Sequence, residues 1–313
     1  MTESDMDARH WSALGFLSLI WGSSYMLIKI GLRGTGPYTL VFLRVFLGAL
    51  FLWGVVGWRR CEVPASARVL GALGLVGLFN NAVPFTLITW GQTTIDSSLA
   101  AILNSVMPLF TVLIAHVGLK DERIGGTNLL GLVIGFAGVV TVIKGGSEGL
   151  SLTALWNGEL GAQLAVVGAS FCYAGSTVFI RRDLKEINPF VLAALQLTVS
   201  SLLMPAAVYL WEWPVPFRYD PGALAALATL GVINTGVAYL LYFYLVTSAG
   251  ATRTALVAYL IPVFGLFFGV VFLGEPLHLT VVMGFLTILT GVYLVDRGTV
   301  DVKKDAVDET TES

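Results

Sequence analysis

The sequence predicts an all-α polytopic membrane protein, with ten transmembrane helices arranged as two inverted five-helix repeats. Three observations predict it. Hydrophobic residues fill 56% of 313 positions and charged residues only 12%, against roughly 25% charged in a soluble domain. A chain so poor in charge has no soluble exterior, so its outside faces lipid. Apolar stretches long enough to cross the membrane recur ten times, taking about 20 residues for ~30 Å of hydrocarbon. Finally, the second half repeats the first.

Residues 1–10 are polar and form an expected cytoplasmic tail. The apolar stretch that follows, 11–32, is too long for a signal-peptide core, contains Lys29 and lacks a small-residue cleavage site. It is therefore read as the first span. Gly34-Thr35-Gly36-Pro37 turns the chain into a second span, 37–58, closed by Arg59-Arg60. Spans at 69–91 and 97–118 follow. After Lys120-Asp121-Glu122-Arg123, a span at 125–143 completes the first repeat, 11–146. The second repeat, 159–297, holds spans at 159–181, 189–211 (entered through Asn188-Pro189), 222–247, 252–273 and 277–296. Residues 298–313 are polar and acidic without apolar periodicity, and are expected to be a disordered cytoplasmic tail.

Lys and Arg set the orientation, since they concentrate on the cytoplasmic side. With ten spans both termini share one side. That side collects Arg9, Arg59, Arg60, Arg68, Lys120, Arg123, Arg181, Arg182, Lys185, Arg253, Arg297, Lys303 and Lys304. The other has Lys29, Arg33, Lys144 and Arg218. Both termini are therefore expected in the cytoplasm.

Sliding one half over the other reveals the duplication. At an offset of 152, Ser18, Ser24, Pro37 and Arg44 meet Ser170, Ser176, Pro189 and Gln196. At 154, Gly77, Asn80, Ala101 and Pro108 meet Gly231, Asn234, Ala255 and Pro262. At 153, Glu122, Gly131 and Gly138 meet Glu275, Gly284 and Gly291. Matches in Pro, Asn, Gly and charge are not what Leu-rich helices share by chance. Five spans per unit is an odd number, so the second copy enters the membrane in the opposite sense, the inverted repeat typical of secondary transporters.

Several motifs carry a family resemblance. They are Trp21-Gly22-Ser23-Ser24-Tyr25 in the first span, Arg44-Val45-Phe46 in the second, and Ile261-Pro262-Val263-Phe264-Gly265 leading to Leu273-Gly274-Glu275-Pro276-Leu277. A Gly-rich final helix follows, and the first half echoes it in Met107-Pro108-Leu109-Phe110, with Lys120 where Gly is usual. The chain resembles the drug/metabolite transporter superfamily, specifically its EamA-type members, over residues 11 to 297. The resemblance implies a ten-helix inner-membrane transporter, often an exporter of amino acids or related metabolites. It also implies a central aqueous cavity lined by helices one, three, four, six, eight and nine.

Polar groups in hydrocarbon are expensive, so deep ones mark candidate sites. Asn80 and Asn234 fall at equivalent depths in spans three and eight, with Asn81 and Asn104 also deep. An Asn carboxamide supplies two donors and an acceptor, which suits a zwitterionic ligand. Helix-to-helix hydrogen bonding is the plainer alternative. Trp21, Ser24, Tyr25, Tyr173, Ser176 and Tyr239 are the accompanying candidates, because aromatic walls with a few polar tips describe many small-molecule pockets; packing or interfacial anchoring is the alternative for each ring. Arg44 lies about two turns into span two, roughly 10 Å deep. By depth its nearest counter-ion is Asp96, giving an ion pair or gate as the first reading and recognition of a substrate carboxylate as the second. Pro108 and Pro262 are candidate hinges, or static kinks. Glu122 and Glu275 sit at loop entries, where a local helix-end or loop role is expected rather than transport chemistry.

Other chemistries find no residues. The net charge of −2 offers no basic surface for nucleic acid. Two cysteines make no disulfide framework. Neither a phosphate-binding loop nor a zinc-type His pair occurs, so no cofactor, metal or catalytic residue is expected. The expected partners are a small-molecule substrate and the lipid bilayer, with the chain acting as monomer or homodimer. The cargo expected first is an amino acid or derivative. Efflux of drugs or organic cations comes next, then a membrane-embedded enzyme or helical scaffold.

Overall fold

A backbone surrounded by lipid must satisfy its own hydrogen bonds, and each apolar stretch duly folds as a helix. The computed structural model describes residues 7–64, 66–119, 124–145 and 158–311. Glu122 and its charged loop lie outside the described residues. The first five helices are α1 (Ala8–Gly31), α2 (Pro37–Trp58), α3 (Ala67–Gly91), α4 (Ser97–Gly118) and α5 (Gly126–Gly145). The second five are α6 (Glu159–Asp183), α7 (Pro189–Trp211), α8 (Pro221–Ser248), α9 (Ala251–Thr254 and Val257–Leu273) and α10 (Leu279–Thr311). Proline opens α2, α7 and α8, where its missing N–H is no loss. The Asn188 and Asp220 side chains cap α7 and α8 by accepting the N–H groups of Phe190 and Gly222.

The polar tail assigned to disorder continues α10 as helix to Thr311. Beyond Gly298 it contains neither Gly nor Pro, so nothing in its sequence breaks a helix already running.

Packing follows the duplication. Exchanging α1–α5 with α6–α10 carries α1–α9 contact into α6–α4 contact, α1–α8 into α6–α3, and α2–α8 into α7–α3. The pairs α2–α7, α4–α9 and α5–α10 map onto themselves. At the α5–α10 crossing the correspondence reaches single atoms. A Cβ placed on Gly131 would lie 2.7 Å from the Gly291 carbonyl oxygen, and one on Gly284 would lie 3.0 Å from that of Gly138. Absent side chains let the two backbones touch, as small residues do between membrane helices.

The third helix of each repeat departs from α geometry. A π-helical turn covers Leu78–Ala82 in α3 and Val232–Val237 in α8, equivalent places in the two copies. Such bulges are rare and gather at functional sites. The fourth helix of each repeat is interrupted instead, at residues 105–106 in α4 and 255–256 in α9.

Candidate functional site

The two bulges hold Asn80, Asn81 and Asn234 and face the second helix of the opposite repeat. Close approach makes this possible. A Cβ on Gly231 would meet the Leu47 Cβ at 2.5 Å, and one on Gly77 would meet the Gln196 carbonyl oxygen at 2.7 Å. With those glycines against α2 and α7, side chains one turn further on cross over. Arg44 Nε donates to the Thr235 hydroxyl at 3.1 Å. In the opposite crossing, one residue out of register because Asn81 is the equivalent of Thr235, Asn80 Nδ2 donates to Gln196 Oε1 at 2.9 Å.

Arg44 is 7% exposed. Its guanidinium carbon sits 3.9 Å from the centre of the Phe85 ring, within cation–π range. Tyr173, Tyr239 and Tyr25 lie within electrostatic reach, and Tyr173 meets Phe85 edge-on at 6.4 Å. Two polar chains extend from these tyrosines. Gln196 Nε2 donates to the Tyr239 hydroxyl at 3.1 Å, linking it to Asn80. Asn104 Nδ2 donates to the Tyr25 hydroxyl at 2.9 Å, while Asn104 Oδ1 accepts from Ser170 at 3.0 Å. Ser170 also reaches the Asn104 carbonyl, which Pro108, lacking an N–H, leaves free. Thus Arg44, Tyr25, Asn80, Asn104, Tyr173 and Tyr239 come together from six helices around one charge.

The expected Arg44–Asp96 ion pair is not formed. Asp96 precedes α4, at the end of the bundle away from the termini, where burial and neighbouring Glu275 raise its carboxyl above the ordinary 3.8, opposed by Lys29 and His278. Similar depth had suggested the pairing, but α2 turns Arg44 toward α3 and α8 instead. Among the described residues no carboxylate lies within ion-pair distance of Arg44, and Thr235 is its one hydrogen-bond acceptor. An unpaired arginine at the centre of a membrane helix costs about 2.5–3.5 kcal/mol on insertion scales.

Other candidates stand apart. Asn234 Nδ2 donates to the Ile20 carbonyl and to the Ser23 and Ser24 hydroxyls, so Asn234 and Ser24 clamp α8 to α1. Trp21 packs against Tyr242 at 5.7 Å, among apolar residues of α8 and α9. Ser176 lines a peripheral cavity of about 300 Å³ between α3 and α6 with Phe79, Phe171 and Phe179. Asn81 is fully buried, and neither amide atom is bonded among the described residues. Pro108 stands just after the α4 interruption, whereas Pro262 lies inside continuous helix, so the two candidate hinges are not structurally equivalent. A second cavity, also about 300 Å³, lies between α2 and α7 at Thr39, Phe42 and Pro205. Neither of these two cavities is the expected central one, and neither touches Arg44.

Three contributors were not singled out from sequence. Thr235 gave no signal. Gln196 did, through its alignment with Arg44. Glu212, at the end of α7, accepts the Tyr38 and Thr39 N–H groups at the start of α2, at 2.6 and 3.2 Å. Glu275 serves a remote helix end and not the local one expected: its two oxygens take the Ser97 and Ser98 N–H groups of α4 at 2.8 and 2.9 Å.

The profile of the EamA-like transporter family matches this chain twice, over residues 11–144 and 160–296. The chain is 24% identical over 283 residues to the Bacillus subtilis uncharacterized transporter YoaV, covering 90% of this chain and 95% of that protein. It is 27% identical over 299 residues to a probable terminal-alkyne amino-acid exporter of Streptantibioticus cattleyicolor, covering 94% and 95%. To the Escherichia coli K12 uncharacterized inner membrane transporter YedA it is 26% identical over 290 residues, covering 92% and 90%. One solved crystal structure superposes with a TM-score of 0.66 over 93% of this chain and 99% of its own, at 18% identity, a likeness of fold.

Proposed function

Because this chain belongs to the EamA-like transporter family, within the drug/metabolite transporter superfamily, we propose that it exports a small polar metabolite, an amino acid or derivative first, by alternating access across the cytoplasmic membrane. Both termini then lie in the cytoplasm, consistent with the distribution of Lys and Arg. The repeat boundaries proposed for this cycle are 11–146 and 159–297.

One observation supports the mechanism: the reciprocal crossing between second helices and opposite bulges, Arg44 to Thr235 and Asn80 to Gln196. Two copies that reach into each other at equivalent places can exchange conformations, turning an inward-open arrangement into an outward-open one around a fixed centre. The α4 interruption and the paired bulges put irregular backbone where such exchange needs give. Amino-acid cargo is supported by the name of one relative and by the amide and hydroxyl groups of Asn104, Gln196 and Tyr239 beside the central charge.

Counterflow in proteoliposomes against a metabolite panel tests the reading, with L-amino acids and the quaternary cation tetraphenylphosphonium both included. Amino-acid counterflow is expected, reduced in Asn80→Ala, which loses the bond to Gln196. Uptake of the cation without any amino acid would replace this reading with organic-cation efflux.

A further inference from the structure

We infer that Arg44 is the anchor for a carboxylate carried by the cargo, which narrows the transported class to small carboxylate-bearing molecules. The inference rests on the transporter reading above and adds to it the residue that selects.

A guanidinium presents five N–H donors in a planar fork. Thr235 takes the Nε donor at 3.1 Å and the Phe85 ring covers one face of the plane at 3.9 Å. These two contacts hold the fork in one orientation while leaving the paired Nη groups, the edge that grips a carboxylate bidentately, without an acceptor among the described residues. Asp96, the counter-ion that depth suggested, makes no ion pair with Arg44 and lies instead within electrostatic reach of Glu275 and Lys29. The groups in electrostatic reach of Arg44 are tyrosine hydroxyls on α1, α6 and α8. These are neutral at physiological pH and leave the positive charge uncompensated.

Buried charges are normally paired, because an isolated one keeps its desolvation penalty. A cargo carboxylate supplies the missing partner. The same logic gives selectivity: an amide or amine analogue would leave the buried guanidinium unpaired, and sites built around a polar partner reject ligands that lack it far better than apolar pockets reject an extra methylene.

The test is counterflow of the twenty proteinogenic L-amino acids, each beside its α-carboxamide, in proteoliposomes of wild type, Arg44→Lys and Arg44→Gln. In wild type at least one acid is expected to be preferred to its amide by about tenfold or more. Arg44→Gln is expected to abolish that preference, and Arg44→Lys to keep it at weaker apparent affinity. If Arg44→Gln does not fold, Thr235→Val, which frees the fork to turn, should raise the KM of acids severalfold and leave that of amides unchanged. Acid counterflow with selectivity and KM unaltered in Arg44→Gln would overturn the anchor while leaving the amino-acid reading intact. Equal transport of acids and amides by wild type would do the same. Tetraphenylphosphonium counterflow with no acid transported would overturn both.

Discussion

Arg44 on α2 and Gln196 on α7 hold the same place in the two repeats and reach opposite bulges, Arg44 to Thr235 at 3.1 Å and Gln196 from Asn80 at 2.9 Å. The duplication has thus been kept in geometry and broken in charge: one copy carries a cation, the other a neutral amide. Gln196 is 1% exposed and also donates to Tyr239. Replacing it by Leu strands the Asn80 amide and removes a donor from the Tyr239 hydroxyl. A buried polar group left unpaired costs about 1–3 kcal/mol, so Gln196→Leu should lower the thermal midpoint of the purified protein. A wild-type midpoint would refute the bond as a stabilising contact.

The α5–α10 crossing makes a sharper steric prediction. An added methyl at Gly131 would meet the Gly291 carbonyl oxygen and the Val295 nitrogen, both at 2.7 Å. These are backbone atoms that no rotamer change can move aside. Overpacking of this kind costs about 1–3 kcal/mol. Gly131→Ala should therefore destabilise, whereas Gly54→Ala, whose methyl would meet nothing within 4 Å, should not. Equal midpoints for the two variants in a detergent melt would count against the crossing.

Much of this was legible in the sequence, and the parts that were not share a cause. Length and hydropathy report depth, so the ten spans fall close to the observed helices: 37–58 and 97–118 coincide with Pro37–Trp58 and Ser97–Gly118. Rotation about a helix axis is a different matter. Arg44 and Asp96 match in depth, yet Arg44 turns to α8 while Asp96 sits at the start of α4 near the like charge of Glu275. The bulges at Leu78–Ala82 and Val232–Val237 carry no local signature, because one extra residue in a helical turn needs no particular side chain. Partners such as Glu212 and Tyr38, 174 residues apart, carry no local signature. The repeat alignment did hold one unused clue, Gln196 under Arg44.

Two carboxylates cap helices that are not their own, and exchange should reveal them. Glu275 takes the first N–H groups of α4 and Glu212 those of α2. Negative charge at a helix N-terminus is favourable, and hydrogen bonds to a charged group contribute about 1.5–3 kcal/mol each. In Glu275→Gln, deuterium uptake should rise at Ser97 and Ser98 and stay unchanged at Tyr38 and Thr39. Glu212→Gln should reverse the pattern. Mass-spectrometric exchange over residues 95–103 and 36–42 reads both. Uptake identical to wild type in each segment would remove the caps from the account.

Asp96 gives the pH dependence. Burial and Glu275 raise its carboxyl above 3.8, so the folded chain holds a proton that the unfolded chain has already released. Wherever the native state binds more protons, stability falls as pH rises. The window opens at 3.8 and closes once the folded-state carboxyl has also ionised. Asp96 occupies the cap position of α4 without bonding its N–H groups, since Glu275 has taken them. Asp96→Asn therefore removes a charge and no hydrogen bond. Relative to wild type it should melt at the same temperature below pH 3.8 and at a progressively higher one above it, levelling off once ionisation is complete. The gain should be modest, because Asp96 stays partly solvated and water screens much of the repulsion. Melting curves for both proteins across this window decide the matter, and a variant that loses ground as pH rises would reverse the sign assigned to Asp96.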